Sequence, residues 1–272
     1  MSEINDFPGS CLPEFNRHLR EAMLARWQGG ALLKTIEYAL FPGGKRLRPL
    51  LCCAVARDLG REVKDVFQSA VAVECVHISS LIHDDLPCLD NDSIRRGEPS
   101  CHIQCGEASA LLAGDALIGW AFELLSATGT ASFSVSTLAE AYIDLCLGQH
   151  RELVAPEQSR QQVAELKTGS LFAAALRLGG AEWSGDIALL GRLLGEIGKD
   201  FGVLFQVQDD REDEDREPEK DSYISDRIDS LRRRFISLHE LTGSSFEETK
   251  RLMRMAISAL GESEQRVAVS PF

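Results

Sequence analysis

Proline and glycine are scarce in this sequence, and no low-complexity stretch interrupts it. The 272 residues include 9 Pro and 22 Gly, while 44% are apolar and 26% are charged. This composition excludes a disordered or collagen-like chain and leaves enough apolar material for a substantial core. Because the turn signals between its predicted helices are too short for a linker, we expect a single domain over residues 1–272.

An excess of basic residues is also missing, as is any long apolar run free of charge. The net charge of -13 excludes sequence-independent nucleic-acid binding, which needs a basic face to displace phosphate counterions. The most apolar predicted helix, over 108–125, contains Asp115 and Glu123, so we predict no membrane span. The first ten residues lack both a basic start and an apolar run, which predicts a cytoplasmic protein.

No CxxC pair occurs among the eight cysteines. Most of these cysteines sit in apolar helical patterns, which indicates free thiols that pack as small hydrophobes in a reducing compartment. Cys101, His102 and Cys105 have a spacing that could begin a metal site, but the chain offers no CxxC pair to supply further ligands. We therefore interpret these residues as structural.

Alternating β-branched runs are absent as well, whereas apolar residues recur at intervals of three and four. Leu19, Met23 and Trp27 show this spacing, which is typical of α-helices. Four predicted helices are apolar on most faces and should be surrounded by other helices: 70–86, 108–126, 137–153 and 195–210. The pattern predicts an all-α protein, a single helical bundle with buried central helices.

Two acidic clusters follow apolar helices, and the second begins at Asp209. Asp209 and Asp213 are four residues apart, so they share one helical face. Their repulsion, about 1 kcal/mol in water and about 4 kcal/mol at a surface-like dielectric, favours a bound cation. Oxygen ligands favour Mg²⁺, which commonly bridges carboxylates to phosphates. A calcium-binding EF-hand is excluded, because Glu214 stands where that loop needs Gly and Lys220 where it needs Glu.

The first acidic cluster lies in the stretch HDDLPCLDNDSIRRG. Asp84 and Asp85 end an apolar helix, and Asp90 follows six residues after Asp84, where a regular helix would present another face. A kink must therefore return Asp90 to Asp84 if the two share a ligand. Arg95 and Arg96 come next, and their planar guanidinium groups suit phosphate oxygens.

Further cations and a histidine complete the pattern. Lys45 and Arg48 follow a Gly-Gly turn that could approach an anion, although the Walker spacing is missing. His77 lies seven residues before Asp84 and hence on nearly the same helical face. Lys167 adds another positive charge in an apolar context. Two acidic clusters with several cations indicate a site for magnesium and two polyanions, which suits diphosphate chemistry.

The motifs GGKRLRP, SLIHDDLPCLDNDSIRRG, LAGDAL, KTGSL and FQVQDD occur in this order over residues 43–213. This ordered set resembles the trans-isoprenyl diphosphate synthases, the polyprenyl synthetase family that includes farnesyl and geranylgeranyl diphosphate synthases. The resemblance implies an all-helical homodimer in which each subunit surrounds a deep central cavity. It also implies Mg²⁺ as cofactor, and isopentenyl diphosphate and an allylic diphosphate as substrates.

Site residues carried over from the family fall into three groups. Magnesium and the allylic diphosphate would be bound by two aspartate-rich motifs: Asp84, Asp85, Asp90, Asp209, Asp210 and Asp213. Further contacts to the leaving diphosphate are implied for Arg95, Lys167, Thr168, Gln206 and, in the following loop, Lys220. The pocket for isopentenyl diphosphate is implied for Lys45, Arg48, His77 and Arg96. We expect the catalytic groups to be Asp84, Asp85, Asp209, Lys167 and Arg95.

The implied reaction is a head-to-tail condensation in which the departing pyrophosphate accepts the proton. In the family, side chains four or five residues before the first motif often set product length, and here these are Ser80 and Ser79. Neither is aromatic, so a fifteen-carbon chain is not blocked there. We predict geranylgeranyl diphosphate as the product, with farnesyl diphosphate as the alternative, and expect Ser79→Tyr to shorten it.

The chain departs from the family after the second motif. Arg211 and Glu212 interrupt the expected apolar continuation, Glu152 replaces an expected Asp, and the C-terminus lacks a basic tail. These departures leave a second hypothesis open, in which the chain is a non-catalytic partner subunit of a heteromeric synthase. A class I terpene cyclase is a third, although cyclases normally lack the GGKRLRP motif and a full second aspartate-rich motif.

Overall fold

The computed structural model describes residues 7–41, 43–154, 160–212 and 221–257, with side chains described at all of these except 210–212 and 221. Helices account for nearly all of the ordered elements in these ranges. They are α1 (Phe7–Arg26), α2 (Ala31–Leu40), α3 (Leu47–Asp58), α4 (Phe67–Asp84), α5 (Cys101–Cys105), α6 (Glu107–Ser126), α7 (Ala131–Val154), α8 (Arg160–Ala164), α9 (Ser170–Gly179), α10 (Ile187–Glu212), α11 (Asp221–Thr242) and α12 (Glu247–Ala256). The predicted all-α fold is confirmed.

Three shorter elements connect these helices. A 3₁₀ turn over Val63–Val66 precedes α4, and a π-helical turn over Glu165–Gly169 joins α8 to α9. Strands β1 (Ile94–Arg95) and β2 (Glu98–Pro99) form a two-residue antiparallel hairpin after α4. This hairpin contains Arg95 and presents its side chain to the end of α4.

The core is built around α4, which packs against α3, α6 and α9. Its residues Ala70 to Val73 are buried on consecutive positions, so the helix is surrounded on most faces, as the sequence predicts for 70–86. The outer helix α1 instead buries a stripe at intervals of four residues: Phe7, Cys11, Phe15, Leu19 and Met23. Burial thus follows the apolar pattern in α1 and α4.

Close helix crossings depend on glycine. A Cβ atom at Gly179 of α9 would lie 2.3 Å from the carbonyl oxygen of Cys52 in α3. A Cβ atom at Gly198 of α10 would lie 2.4 Å from the backbone nitrogen of Ala173 in α9. The backbones of α3, α9 and α10 therefore approach one another more closely than any side chain would allow.

The expectation of a surrounded helix is wrong for 108–126. By length and composition, two described helices could cross a membrane, Val63–Asp84 and Glu107–Ser126. In the first, 72% of the most apolar 18-residue stretch is buried inside the structure, and in the second only 39% is. The first is the core helix α4 with its preceding turn. The second, α6, exposes Leu111 and Leu112 on its surface. Its apolar pattern therefore exceeds what the core of a single chain buries.

All eight cysteines are free thiols, and five of them are buried: Cys11, Cys52, Cys53, Cys75 and Cys101. Burial raises the pKa of Cys52 and of Cys75 above the ordinary thiol value. These two side chains therefore behave as small apolar groups at neutral pH.

Candidate functional site

The first aspartate-rich stretch folds back on the end of α4. The backbone N–H of Asp90 donates to the carbonyl oxygen of Asp84 at 2.9 Å, and that of Leu86 donates to His83 at 3.0 Å. Residues 85–90 therefore form a compact turn in place of a continued helix. The turn returns Asp90 to the position of Asp84, as sharing a ligand requires.

Asp84 and Asp90 lie in an environment that resists two negative charges. Burial raises the pKa of Asp84 to about 6, with the nearby carboxylates of Asp90 and Asp85 adding to the effect and Lys167 opposing it. Burial also raises the pKa of Asp90, again against Lys167 and with help from Glu152. A bound cation would remove this penalty, because it would supply positive charge to both carboxylates.

Asp85 has a different partner from Asp84. Arg95 Nε donates to Asp85 Oδ1 at 3.0 Å, and the same guanidinium also contacts Asp92 Oδ2 at 3.2 Å. Asp85 is almost completely buried in this arrangement. Its carboxylate is therefore paired with the β1 arginine, so a metal ion bound at Asp85 would share this carboxylate with Arg95.

Lys167 lies in the middle of the π-helical turn and faces the first aspartate cluster. Its Nζ atom is 2.6 Å from Glu152 Oε2 of α7 and 4.0 Å from Asp84 Oδ2 of α4. A Cβ atom at Gly148 would lie 2.5 Å from the backbone nitrogen of Lys167, so this glycine lets α7 approach the turn. π-Helical turns often occur at functional sites, because they re-aim side chains within a helix.

The same turn contacts the helix that leads to the second aspartate motif. Thr168 Oγ1 donates to Gln206 Oε1 of α10 at 2.9 Å. A Cβ atom at Gly202 would lie 2.4 Å from the Cα atom of Gly169, so the two backbones touch. Asp209 follows Gln206 by three residues on α10 and is described, whereas the side chain of Asp210 and all of Asp213 and Lys220 lie outside the described residues.

A second group of cations surrounds His77. Arg48 lies half-buried over the ring of Phe172, with its Cζ atom 4.2 Å from the ring centroid. Burial lowers the pKa of Arg48 to about 10, with Arg96 adding to the effect and the carboxylates of Glu74 and Asp209 opposing it. The guanidinium thus stays charged at neutral pH, and its buried Nε atom has no hydrogen-bond partner within the described ranges.

His77 is kept neutral by these neighbours. Burial, followed by the positive charges of Arg48 and Arg96, holds the pKa of His77 well below its ordinary value. Arg96 packs on Gly44, where a Cβ atom would lie 2.7 Å from its guanidinium carbon, while Lys45 is exposed nearby in sequence. The predicted residues of this group therefore produce one electropositive region, which suits an anion.

A small open cleft, with a volume of about 70 Å³, lies beside this region. It is lined by Arg95, Arg96 and Asp85, and α4 contributes the apolar side chains Ile78 and Ile82. The lining thus combines charged and apolar groups, as do sites for ligands with an anionic head and an apolar tail.

The two serines predicted to control product length differ in burial. Ser79 is 0% exposed, and its Oγ atom has no hydrogen-bond partner in the part of the chain that the structure describes. Ser80 is half-buried and donates to the carbonyl oxygen of His77 at 2.9 Å. Ser80 is therefore partly accessible to solvent, whereas Ser79 is not.

Sequence reasoning assigned no role to several partners. Glu152 pairs with Lys167 across 15 residues, a separation that no spacing rule connects. Asp92 pairs with Arg95 only three residues away, but both lie outside a helix, where that spacing predicts no contact. Arg46 forms a buried ion pair with Glu74 at 2.5 Å, and its side chain lies where a Cβ atom at Gly43 would be. The Gly-Gly turn thus makes room for this structural arginine as well as for an anion.

The predicted metal ligands whose side chains are described are Asp84, Asp85, Asp90 and Asp209. Within residues 7–41, 43–154, 160–212 and 221–257, no three His, Cys, Asp or Glu side chains are gathered closely enough to hold a metal ion. Asp84 supplies a buried carboxylate and Asp90 an exposed one, and carboxylate oxygens are the donors that Mg²⁺ prefers. These residues therefore fit magnesium chemically, with Asp209 as a further candidate on α10.

A family model described as polyprenyl synthetase matches residues 30–267 of the chain. The farnesyl diphosphate synthase of Haemophilus influenzae is 42% identical over 195 residues, which cover 66% of this chain and 65% of that protein. Geranylgeranyl pyrophosphate synthase 4 of Arabidopsis thaliana is 38% identical over 201 residues, which cover 69% of this chain and 54% of that protein. The chain thus spans about two thirds and about half of these relatives.

A solved structure gives a longer match. An FPP/GFPP synthase from Zymomonas mobilis, in its apo form, superposes with a TM-score of 0.78 at 27% identity, and the match covers 93% of this chain and 99% of that one. The helical arrangement described above is therefore shared over nearly the full length of that protein.

Proposed function

The chain belongs to the polyprenyl synthetase family, and we propose that it joins isopentenyl diphosphate head-to-tail to an allylic diphosphate with the help of Mg²⁺. The observation that carries this proposal is the meeting of three elements at Lys167. Its Nζ atom lies 4.0 Å from Asp84 and 2.6 Å from Glu152, while the adjacent Thr168 is bonded to Gln206. Carboxylates for a metal and donors for a diphosphate thus occupy one place.

The allylic diphosphate would lie between the two aspartate motifs. Lys167, Thr168 and Gln206 would bind its phosphate oxygens from the π-helical turn and α10, and Arg95 would join them from the hairpin. Mg²⁺, when bound, would neutralise the charge that develops on the departing pyrophosphate. Donors that are already in place require little reorganisation as this charge develops, which lowers the barrier.

Isopentenyl diphosphate would occupy the electropositive region around His77. Arg48 and Arg96 would pair with its diphosphate, and the neutral His77 would contribute a hydrogen bond without adding a charge. Lys45, at the exposed edge, would attract the anion from solution. A diphosphate at this site would also provide the partner that the buried Nε of Arg48 lacks within the described chain.

The decisive experiment uses the purified full-length chain with Mg²⁺, labelled isopentenyl diphosphate, and dimethylallyl, geranyl or farnesyl diphosphate as starter. We expect a longer linear prenyl diphosphate, identified by chromatography after dephosphorylation, and no product when EDTA is added. Failure of every starter, with turnover restored by a second protein, would support the non-catalytic partner hypothesis instead. A cyclic hydrocarbon as main product would support a terpene cyclase.

We propose geranylgeranyl diphosphate as the product and farnesyl diphosphate as the second candidate. The second candidate has the support of the Haemophilus influenzae relative, which is named farnesyl diphosphate synthase. Ser80 is the residue to test, since it is half-buried and one turn before Asp84. Ser80→Phe should shorten the main product by at least one five-carbon unit. Product chromatography checks this, with Ser80→Ala as a control that keeps the space open. An unchanged product would place the end of the cavity elsewhere.

We propose that the chain forms a homodimer and acts in the cytoplasm. The support for the dimer is the apolar surface on α6 and α7, where Leu112 and Ile143 are both 59% exposed and Leu111 and Leu147 lie exposed near them in sequence. Exposed apolar patches on adjacent helices are typical of subunit interfaces. A partner chain would also complete the burial that the sequence predicts for α6.

Leu112→Asp should convert the dimer into a monomer, because an unpaired carboxylate would be buried in the interface. Light scattering after gel filtration measures the mass directly. Leu24→Asp is the matched control, since Leu24 is also half exposed but lies on α1. If both variants keep the mass of the unmodified chain, this surface is not the interface.

A further inference from the structure

Arg227 of α11 connects three elements that lie far apart in sequence. Its NH1 group donates to Asp200 Oδ1 of α10 at 2.7 Å, and its NH2 group pairs with Glu165 at the start of the π-helical turn. Its guanidinium carbon also lies 5.1 Å from the centre of the Tyr223 ring. One side chain thus links α11 and α10 to the turn that contains Lys167.

The charges in this contact are mostly removed from solvent. The side chain of Asp200 is only 4% exposed, and it is paired with both Arg227 and Arg234. Hydrogen bonding to Glu165 is among the causes that raise the pKa of Arg227, against the effect of burial. Arg227 binds Glu165 through NH2 and Asp200 through NH1, and because partly buried, charge-assisted contacts fix geometry better than exposed ones, Arg227 holds Glu165 in a defined position relative to α10.

Glu165 occupies the first residue of the turn, two residues before Lys167 and three before Thr168. The other end of the turn is held by backbone contact, since a Cβ atom at Gly169 would lie 3.1 Å from the Cα atom of Lys199 in α10. The turn is therefore held at both ends, by glycine packing at Gly169 and by the Arg227 ion pair at Glu165. Movement at either end would displace Lys167.

We propose that Arg227 is a positioning residue that sets the placement of Lys167 and Thr168 for the allylic diphosphate, an inference that rests on the proposed function. It touches neither of these side chains and acts through Glu165. Loss of this ion pair frees one end of the turn, and Lys167 then departs from its place opposite Asp84. Small displacements of binding groups are costly, because diphosphate contacts depend on distance and direction.

Arg234 provides a matched control. It pairs with Asp200 and, through Nε at 3.0 Å, with Glu196, both on α10. It therefore joins α11 to α10, as Arg227 does, and its partners Asp200, Glu196 and Ser230 all lie outside the π-helical turn. A general loosening of α11 should follow from either substitution, whereas displacement of Lys167 should follow from Arg227 alone.

The test compares Arg227→Gln, Glu165→Gln and Arg234→Gln in the full-length chain. We expect the first two to raise the KM for the allylic diphosphate about tenfold or more, with a smaller change in the KM for isopentenyl diphosphate. The double variant should be no worse than Arg227→Gln alone, because Arg227→Gln already removes the contact that Glu165→Gln breaks. Arg227→Lys should restore part of the loss.

Hydrogen exchange gives a readout that does not depend on activity. Amides of residues 165–169 should exchange faster in Arg227→Gln and Glu165→Gln than in Arg234→Gln. If the Arg227 variant fails to fold, Glu165→Gln tests the same contact from its half-exposed side. Equal effects of Arg227→Gln and Arg234→Gln, or unchanged exchange at 165–169, would overturn the inference. An inactive unmodified chain would overturn the proposed function. The exchange comparison would still show whether Arg227 holds the π-helical turn through Glu165.

Discussion

Asp84→Asn should reduce prenyl transfer by about 10³-fold or more while making the metal-free protein more stable. The loss of activity follows because the amide cannot supply the negative oxygen that holds the cation beside the leaving diphosphate, and removal of such an electrostatic group typically costs several kcal/mol in the transition state. The gain in stability follows from the burial of Asp84, which is only 9% exposed. One substitution thus separates the needs of catalysis from those of folding.

The pH dependence gives the sign of the stability change. In the folded chain the pKa of Asp84 is about 6, against an ordinary value of 3.8, so the folded state binds more protons than the unfolded state between these pH values. The free energy of unfolding therefore falls as pH rises through this window, by about 3 kcal/mol at most. Because Asn has no charge to bury, the free energy of unfolding of the Asp84→Asn variant should not show this decrease.

Thermal unfolding in EDTA checks this prediction. Near neutral pH, Asp84→Asn should raise the Tm by about 5 °C, and the difference from the unmodified chain should vanish near pH 4. Asp65→Asn is the control, because Asp65 is a partly exposed carboxylate on the 3₁₀ turn. An Asn variant that is less stable than the unmodified chain at neutral pH would contradict the argument, as would one that keeps full activity.

Lys167→Gln should raise the KM for the allylic diphosphate by about 10²-fold and lower kcat as well. Lys167 pairs with Asp84 at 4.0 Å, and it also neutralises Glu152. Without it, the site would hold Asp84, Asp90 and Glu152 against an incoming polyanion. Repulsion would then oppose diphosphate binding, even though every carboxylate ligand remained in place.

The binding of inorganic pyrophosphate with Mg²⁺, measured by calorimetry, separates this effect from the chemical step. Binding should weaken in Lys167→Gln and stay unchanged in Lys64→Gln, where the lysine is exposed on the 3₁₀ turn. Lys167→Arg should recover part of the affinity, since it keeps the charge. If Lys167→Gln binds pyrophosphate as tightly as the unmodified chain, the lysine serves the structure and not the substrate.

Much of the fold could be predicted because the buried face of a helix requires apolar residues at regular intervals in the sequence. The four-residue stripe of α1 and the continuous apolar run of α4 gave the helical class directly. The β1–β2 hairpin could not be predicted in this way, because two-residue strands are too short to show alternation. The exposure of α6 could not be predicted either, because an apolar pattern does not show whether a helix is buried within its own chain or by a partner chain.

The candidate site was predictable where its residues are close in sequence. The return of Asp90 to Asp84 follows from a six-residue spacing and a proline, and the structure shows the backbone bond that closes it. The Arg227 network was not predictable, because its arginine lies 27 residues from Asp200 and 62 from Glu165. Charges separated by such distances pair through the fold, and no local pattern indicates the partner.

Asp58, the last residue of α3, reaches the start of α12 and accepts hydrogen bonds from the backbone N–H groups of Glu248 at 3.2 Å and Thr249 at 2.9 Å. These bonds join residues 190 and 191 positions apart, so they cannot form until the helices between α3 and α12 have been synthesised. Until then, the carboxylate of Asp58 has no partner on α12. A contact over so many residues is slow to form, because the chain must be closed over the whole interval first.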